Sequence, residues 1–213
     1  MGDRKRRAAR VTVVGIGRIE RDPEVARAIF SVEAARETAE DARAVAAAAA
    51  RSVVEALRAS GVAAEDVRTA SIDVSPAWDH RDGRPVRTGF TVVNRLGVTV
   101  RNPDAVGRAV DAALGAGATG LDGVAFGLAD ATHAASEARA LAVRDARARA
   151  EGIADAARRR LGTLIEVVEG DPGLPSPRPM GRVMLASGLD APTPVLPGRV
   201  EVTVSVVATW ELD

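Results

Sequence analysis

Three groups of residues in this 213-residue chain have the types that could do chemistry. His80 stands between Asp79 and Asp82, a nitrogen and two carboxylates that could hold a metal ion weakly. Ser71, Asp73 and His80 supply on paper the nucleophile, orienting acid and base of a hydrolytic triad. Glu33, Glu37 and Asp41 bring three carboxylates close in sequence, as glycoside chemistry requires of two. Each group also has a plainer reading. A zinc centre needs three or four converging ligands, and His80 and His133 are the only histidines. No Gly-x-Ser-x-Gly elbow presents a serine. Carboxylates at a strand end and a helix start are expected there for solvation and for the helix dipole. The chain has no cysteine, which removes disulfides, thiolate catalysis and iron–sulfur clusters. Its single lysine, Lys5, leaves no Schiff-base candidate in the folded body. The expectation is a protein that is not an enzyme and carries no cofactor or metal.

A glycine pair raises a different possibility. "VTVVGIGRIERDPEVARAIFSVEA" holds Gly15 and Gly17 after a strand-like run. A dinucleotide site needs a third glycine and then a helix, but Glu20 occupies that place and a second alternating run follows. No Gly-Lys-Ser/Thr completes a phosphate loop. The two runs around the Pro23 turn read as a β-hairpin, with the glycines permitting a bulge or a close strand crossing. Val11, Val13 and Gly15 share one face of the first run, and Ala26, Ala28, Phe30, Val32 and Ala34 one face of the second.

The elements that would position these residues follow from periodicity. A helix capped by Thr38 and ended by Gly61 presents Val45, Ala49, Val53, Ala56 and Leu57. A strand runs from Val67 to Val74 and stops at Pro76, and "WDHRDGRPVR" reads as a polar loop tip. Phe90, Val92, Leu96, Val98 and Val100 mark the next strand. Asn102 and Pro103 open a second helix with Val106, Val110, Ala113 and Leu114 inward. "LDGVAFGLAD" is a short strand. A long helix over about residues 130–161 carries Ala135, Ala142, Ala146, Ala150, Ile153, Ala157 and Leu161 on one stripe. "TLIEVVE" and "RVEVTVSVVATWEL" are strands, the last paired in a sheet with the first hairpin. The order β-β-α-β-β-α-β-α-β-β gives an α+β fold, a largely antiparallel sheet with Ala-rich helices packed on it, with room for two lobes. Residues 1–10 read as a disordered basic tail and 11–213 as one domain holding a Pro-rich loop at 171–198.

This order, with its spellings, resembles the SIMPL-domain family. The resemblance rests on "V-x-V-x-G-x-G" followed by "DPEVARAIFSVE", and on "LRASGVAAEDVRTASIDVSPAWD". It continues through "GFTVVNRLGVTVRNPDAVGRAVDAALGAGA", "EARALAVRDARARAEGIADAA" and "VEVTVSVVATWEL", covering residues 11–212. It implies kinship with periplasmic immunogenic proteins and with envelope proteins linked to oxidative-stress tolerance, some of which form rings or barrels. It implies no catalytic residue. The function expected from it is a self-assembling scaffold or stress-response factor, and the partner a second copy of the chain.

Two segments are candidates for contact. Trp78 on a charged tip, with His80 and Arg84 beside it, either covers the edge of the core or anchors a partner. The Pro-rich segment holds Met180, Val183, Met184 and Leu185, too apolar for an inert linker. Together they could instead form a cleft for a small molecule or peptide. Acidic and basic residues balance at 29 each and aromatic content is 2%, so nucleic acid is not an expected partner. No apolar run is long enough for a membrane span. "MGDRKRRAAR" has the charge of a signal peptide's start, but "VTVVGIG" is not an apolar core for one, so the expectation is a cytoplasmic protein, with a periplasmic one as the alternative.

Overall fold

The computed structural model describes residues 9–81, 84–170 and 195–213. The strands are β1 (Ala9–Arg21), β2 (Val25–Arg36), β3 (Val67–Arg81), β4 (Arg84–Val100), β5 (Gly120–Gly127), β6 (Leu161–Glu169) and β7 (Val200–Leu212). The helices are α1 (Ala39–Ala59), α2 (Val106–Gly115) and α3 (Thr132–Ala156). The α+β class and the element order are those read from the sequence. The strands form two antiparallel sheets, ordered β1-β7-β6 and β3-β4-β2-β5, and the chain divides into two compact units.

The first unit holds β1, α3, β6 and β7. β7 pairs with β1 along its whole length, from Ala9 opposite Leu212 to Arg21 opposite Val200. Val11, Val13, Val206, Ala208 and Trp210 face α3, which returns Ala142, Ala146 and Ala150. Gly15 and Gly17 have a more specific role than a bulge. A Cβ on Gly15 would meet the Ala142 carbonyl and lie 2.6 Å from the Ala146 Cβ, and one on Gly17 would meet the Ala138 carbonyl. The glycines and the alanines together let a helix lie directly on a strand.

The second unit holds the four-stranded sheet with α1 packed on it and α2 beside α1, all sharing one core. Phe30, Val32, Val53, Leu57, Leu96, Val98, Val106 and Val110 form its core. The Thr38 hydroxyl accepts from the Asp41 N–H, as a capping residue should, and Gly61 ends α1 with φ 102.

Several expectations are corrected. β1 and β2 are not a hairpin: β1 pairs with β7, while β2 pairs with β4 and β5. Both runs alternate cleanly, and alternation fixes a face without fixing a partner. The buried stripe of α3 is Ala134, Ala138, Ala142, Ala146, Ala150 and Ala154, because contact with a glycine-bearing strand selects the smallest side chains. Ile153 is 46% exposed and Leu161 begins β6. On α1, Ala42, Ala46 and Ala50 are buried and Val45 is exposed, and on α2 Leu114 is exposed. β3 does not stop at Pro76: it is an edge strand, so a missing N–H costs no ladder bond on its free side. Ala9 and Arg10 already belong to β1.

Candidate functional site

β2 lines one side of β4 only as far as Arg36, which pairs with Phe90. From Gly89 outward β4 has β3 as its partner, and the two strands run on as a ribbon to Arg81 opposite Arg84. Gly89 takes φ 153, and a Cβ there would meet the Arg36 carbonyl, so glycine is needed where the arm leaves the sheet. The expected loop tip is therefore a strand pair. Trp78 and His80 stand on β3 opposite Arg87 and Pro85, and Arg84 opens β4. Met180, Val183, Met184 and Leu185 lie outside the described residues.

The arm has an apolar face. Ile72, Val74, Pro76 and Trp78 alternate along β3 with Asp73, Ser75, Ala77 and Asp79. Val74 pairs with Val92, whose side chain is buried with Ala42 and Ala46 of α1. The apolar residues of β3 thus continue the helix-bearing face of the sheet. They are not covered: Ile72 is 59%, Val74 53% and Trp78 60% exposed. This removes the reading of Trp78 as a cover for the core edge. Opposite Trp78, the Arg87 guanidinium lies 5.4 Å from the centre of the Phe90 ring, within cation–π range.

The groups with chemical potential are not assembled. Asp73 accepts from Arg95 at 2.7 Å and from the Ser71 hydroxyl at 3.1 Å, and Arg95 also reaches Asp122. Ser71 and His80 are separated by roughly 30 Å of extended strand, so no triad forms. Asp41 accepts the Thr38 hydroxyl at the start of α1, while Glu33 sits on β2 with its N–H on Thr119. Asp41 therefore serves the helix start, on a different element from Glu33. His133 pairs with Glu137 one turn away on an exposed face of α3. Among the described residues no three His, Asp or Glu side chains converge as metal ligands, and no helix is long and apolar enough to cross a membrane.

In the first unit an open groove runs beside β1, lined by Ile16, Arg18, Leu141, Arg144 and Arg149. Asp145 of α3 accepts the Ile16 N–H at 2.8 Å and pairs with Arg149 at 2.9 Å. The Ile16 N–H and then Arg149 hold its carboxyl below the usual range. Arg139 does the same for Glu169 of β6. Reading of the sequence did not find these contacts. The available signal was the glycine pair, which brings α3 down onto an edge strand and its polar flank to the strand's free side.

Comparison with known proteins finds relatives that align along most of the chain. The chain is 32% identical to the "26 kDa periplasmic immunogenic protein" of Brucella abortus (strain S19), over 96% of this chain and 85% of that protein. Its counterpart in Brucella melitensis biotype 1 is 31% identical over the same shares. The "Uncharacterized protein YggE" of Escherichia coli (strain K12) is 26% identical over 83% of this chain and 71% of that protein. The Brucella proteins are periplasmic by name, which overturns the cytoplasmic expectation. That expectation rested on the lack of an apolar core after the basic opening, an argument from absence. The family profile described as "SIMPL: Protein of unknown function (DUF541)" matches residues 11–210, and the chain belongs to the SIMPL family.

Proposed function

We propose that the chain is a non-catalytic, self-associating scaffold protein of the periplasm, and that the apolar face of the β3–β4 arm is a contact surface between copies. The observation that carries this is the exposure of Ile72, Val74 and Trp78 side by side on one edge strand. Soluble monomers seldom keep such a face in water, and an aromatic residue beside an arginine is the composition of an interface centre. The non-catalytic part is supported by the separate local roles of Ser71, Asp73 and Asp41. The compartment rests on the names of the Brucella relatives.

The test is solution mass. The chain is expected to sediment as a multiple of its 22.0 kDa mass. The triple variant Ile72→Ser, Val74→Ser, Trp78→Ser is expected to fall toward a single chain while its melting temperature stays within a few degrees, since all three side chains are more than half exposed. A folded variant that keeps the full mass would overturn the assignment to the arm.

A further inference from the structure

We infer that the groove between β1 and α3 binds an amphiphilic anion, a free single-chain acid. Its charged head lies among Arg18, Arg144 and Arg149, and its apolar body runs along Gly152 and Ile153. The inference stands apart from the self-association proposed above and uses a different surface.

The basic half of the groove encloses about 520 Å³ beside Ile16 and Leu141. That is the room of a small-molecule site, more than a lone inorganic ion needs. Asp145 is the one carboxylate on its lining, and it is committed within the fold, accepting the Ile16 N–H at 2.8 Å and pairing with Arg149 at 2.9 Å. Arg149 spends its Nε on that pair, which leaves its other N–H groups to a ligand. The flanking acids of β1 and α3 are matched as well: Glu20 with Arg199, Glu137 with Arg21 and Glu151 with Arg147. Arg18 and Arg144 have no ion pair among the described residues. An acid head accepting from their planar forks supplies the anion that this lining lacks.

The other half is apolar. It shares Arg149 with the first and continues for about 400 Å³ along Val13, Val14, Gly152 and Ile153. Ile153 is 46% exposed on a helix whose buried stripe is alanine throughout. Gly152 lies inside α3, where glycine weakens a helix. Nothing lies within 4 Å of a Cβ built on it, so no neighbour requires the missing side chain. What the glycine leaves is open floor in the groove. From Leu141 to Gly152 the helix rises roughly 16 Å, a span that an extended dodecanoate covers. A compact anion would use the basic half alone and an uncharged chain the apolar half alone. The two halves together call for a molecule with both characters.

The test is titration calorimetry of the full chain with dodecanoate below its micelle concentration. Saturable binding is expected, with acetate and dodecyltrimethylammonium each weaker by at least about tenfold. Arg18→Gln with Arg144→Gln removes the unpaired cations, and Gly152→Leu fills the apolar half. Each is expected to weaken dodecanoate by at least about tenfold while the melting temperature holds, since all three positions are exposed. Arg108→Gln, exposed on α2 in the other unit, is expected to bind as the parent does. Dodecanoate binding that survives both groove variants and is lost with Ile72→Ser, Val74→Ser and Trp78→Ser would put the acid on the β3–β4 arm and overturn the inference. Equal affinity for dodecyltrimethylammonium would remove the anion site, and equal affinity for acetate, or Gly152→Leu binding as the parent does, would remove the apolar half. Binding to phosphatidylglycerol vesicles without binding of free dodecanoate would make the groove a membrane contact and overturn it too. None of these results turns on the mass of the protein in solution, so this inference and the proposed self-association fail separately.

Discussion

Gly17→Ala adds one methyl group where the structure leaves no space for it. The new Cβ would meet the Ala138 carbonyl and lie 2.6 Å from the Ala142 nitrogen. Both neighbours are backbone of α3, so no side chain can rotate out of the way. Two effects oppose each other. Replacing glycine restricts the unfolded chain and stabilises by about 0.4–1 kcal/mol where the native geometry tolerates it. Overpacking costs about 1–3 kcal/mol, and rigid backbone on the receiving side places this site at the upper end. The expected net effect is a destabilisation of about 2 kcal/mol, or roughly 4–8 °C for a chain of this size. Gly152→Ala is the control on the same helix. Nothing lies within 4 Å of its added Cβ, and it sits inside α3, so it should stabilise by about 0.5–1 kcal/mol. The assay is urea unfolding followed by Trp210, which is 5% exposed in the core facing α3. A Trp78→Phe background leaves Trp210 as the sole reporter. If Gly17→Ala is as stable as its parent, α3 does not rest on β1 and the account of the first unit is wrong.

Val53→Asp should destabilise by about 3–5 kcal/mol, because it places an unpaired charge at a fully buried position between α1 and its sheet. Glu201→Ala, exposed on β7, should change urea stability by less than about 0.5 kcal/mol. Asp145 and Glu169 have carboxyls held below their ordinary values, so their contribution is present above the unfolded pKa and is lost as pH falls through the folded one. A melting series through the acid range should therefore show a decline below about pH 4 that is shallower in Asp145→Asn with Glu169→Gln. An unchanged slope would remove these contacts from the stability account. Gly89→Val should destabilise the second unit, since it combines φ 153 with a clash against the Arg36 carbonyl. A melting curve matching the parent would contradict that.

How far the sequence could be read depended on whether a pattern names a partner. Ala26, Ala28, Phe30, Val32 and Ala34 were legible as one buried face because strand alternation is a local property. The pairing of β7 with β1 was legible because both are long, clean and at the chain's ends. The division into two sheets was not, since Asp22-Pro23-Glu24 is short enough for a hairpin and nothing local forbids one. The middle of the α3 stripe, Ala142, Ala146 and Ala150, was legible, but its ends were misplaced because the helix is alanine on several sides, and only the positions of Gly15 and Gly17 choose among them. At the candidate site, Trp78 was visible as an anomalous residue on a charged stretch, with Arg84 beside it. The strand that carries them past Pro76 was not, because an edge strand tolerates proline and sequence alone does not say which strand is at the edge. The Asp145–Ile16 contact joins residues far apart in the chain, and no spacing rule reaches it.

Sedimentation equilibrium of the unmodified chain over a wide concentration range tests the central claim most directly. The account predicts a mass that is a multiple of 22.0 kDa and that falls on substitution of Ile72, Val74 and Trp78. A single species of 22.0 kDa at every concentration would contradict it.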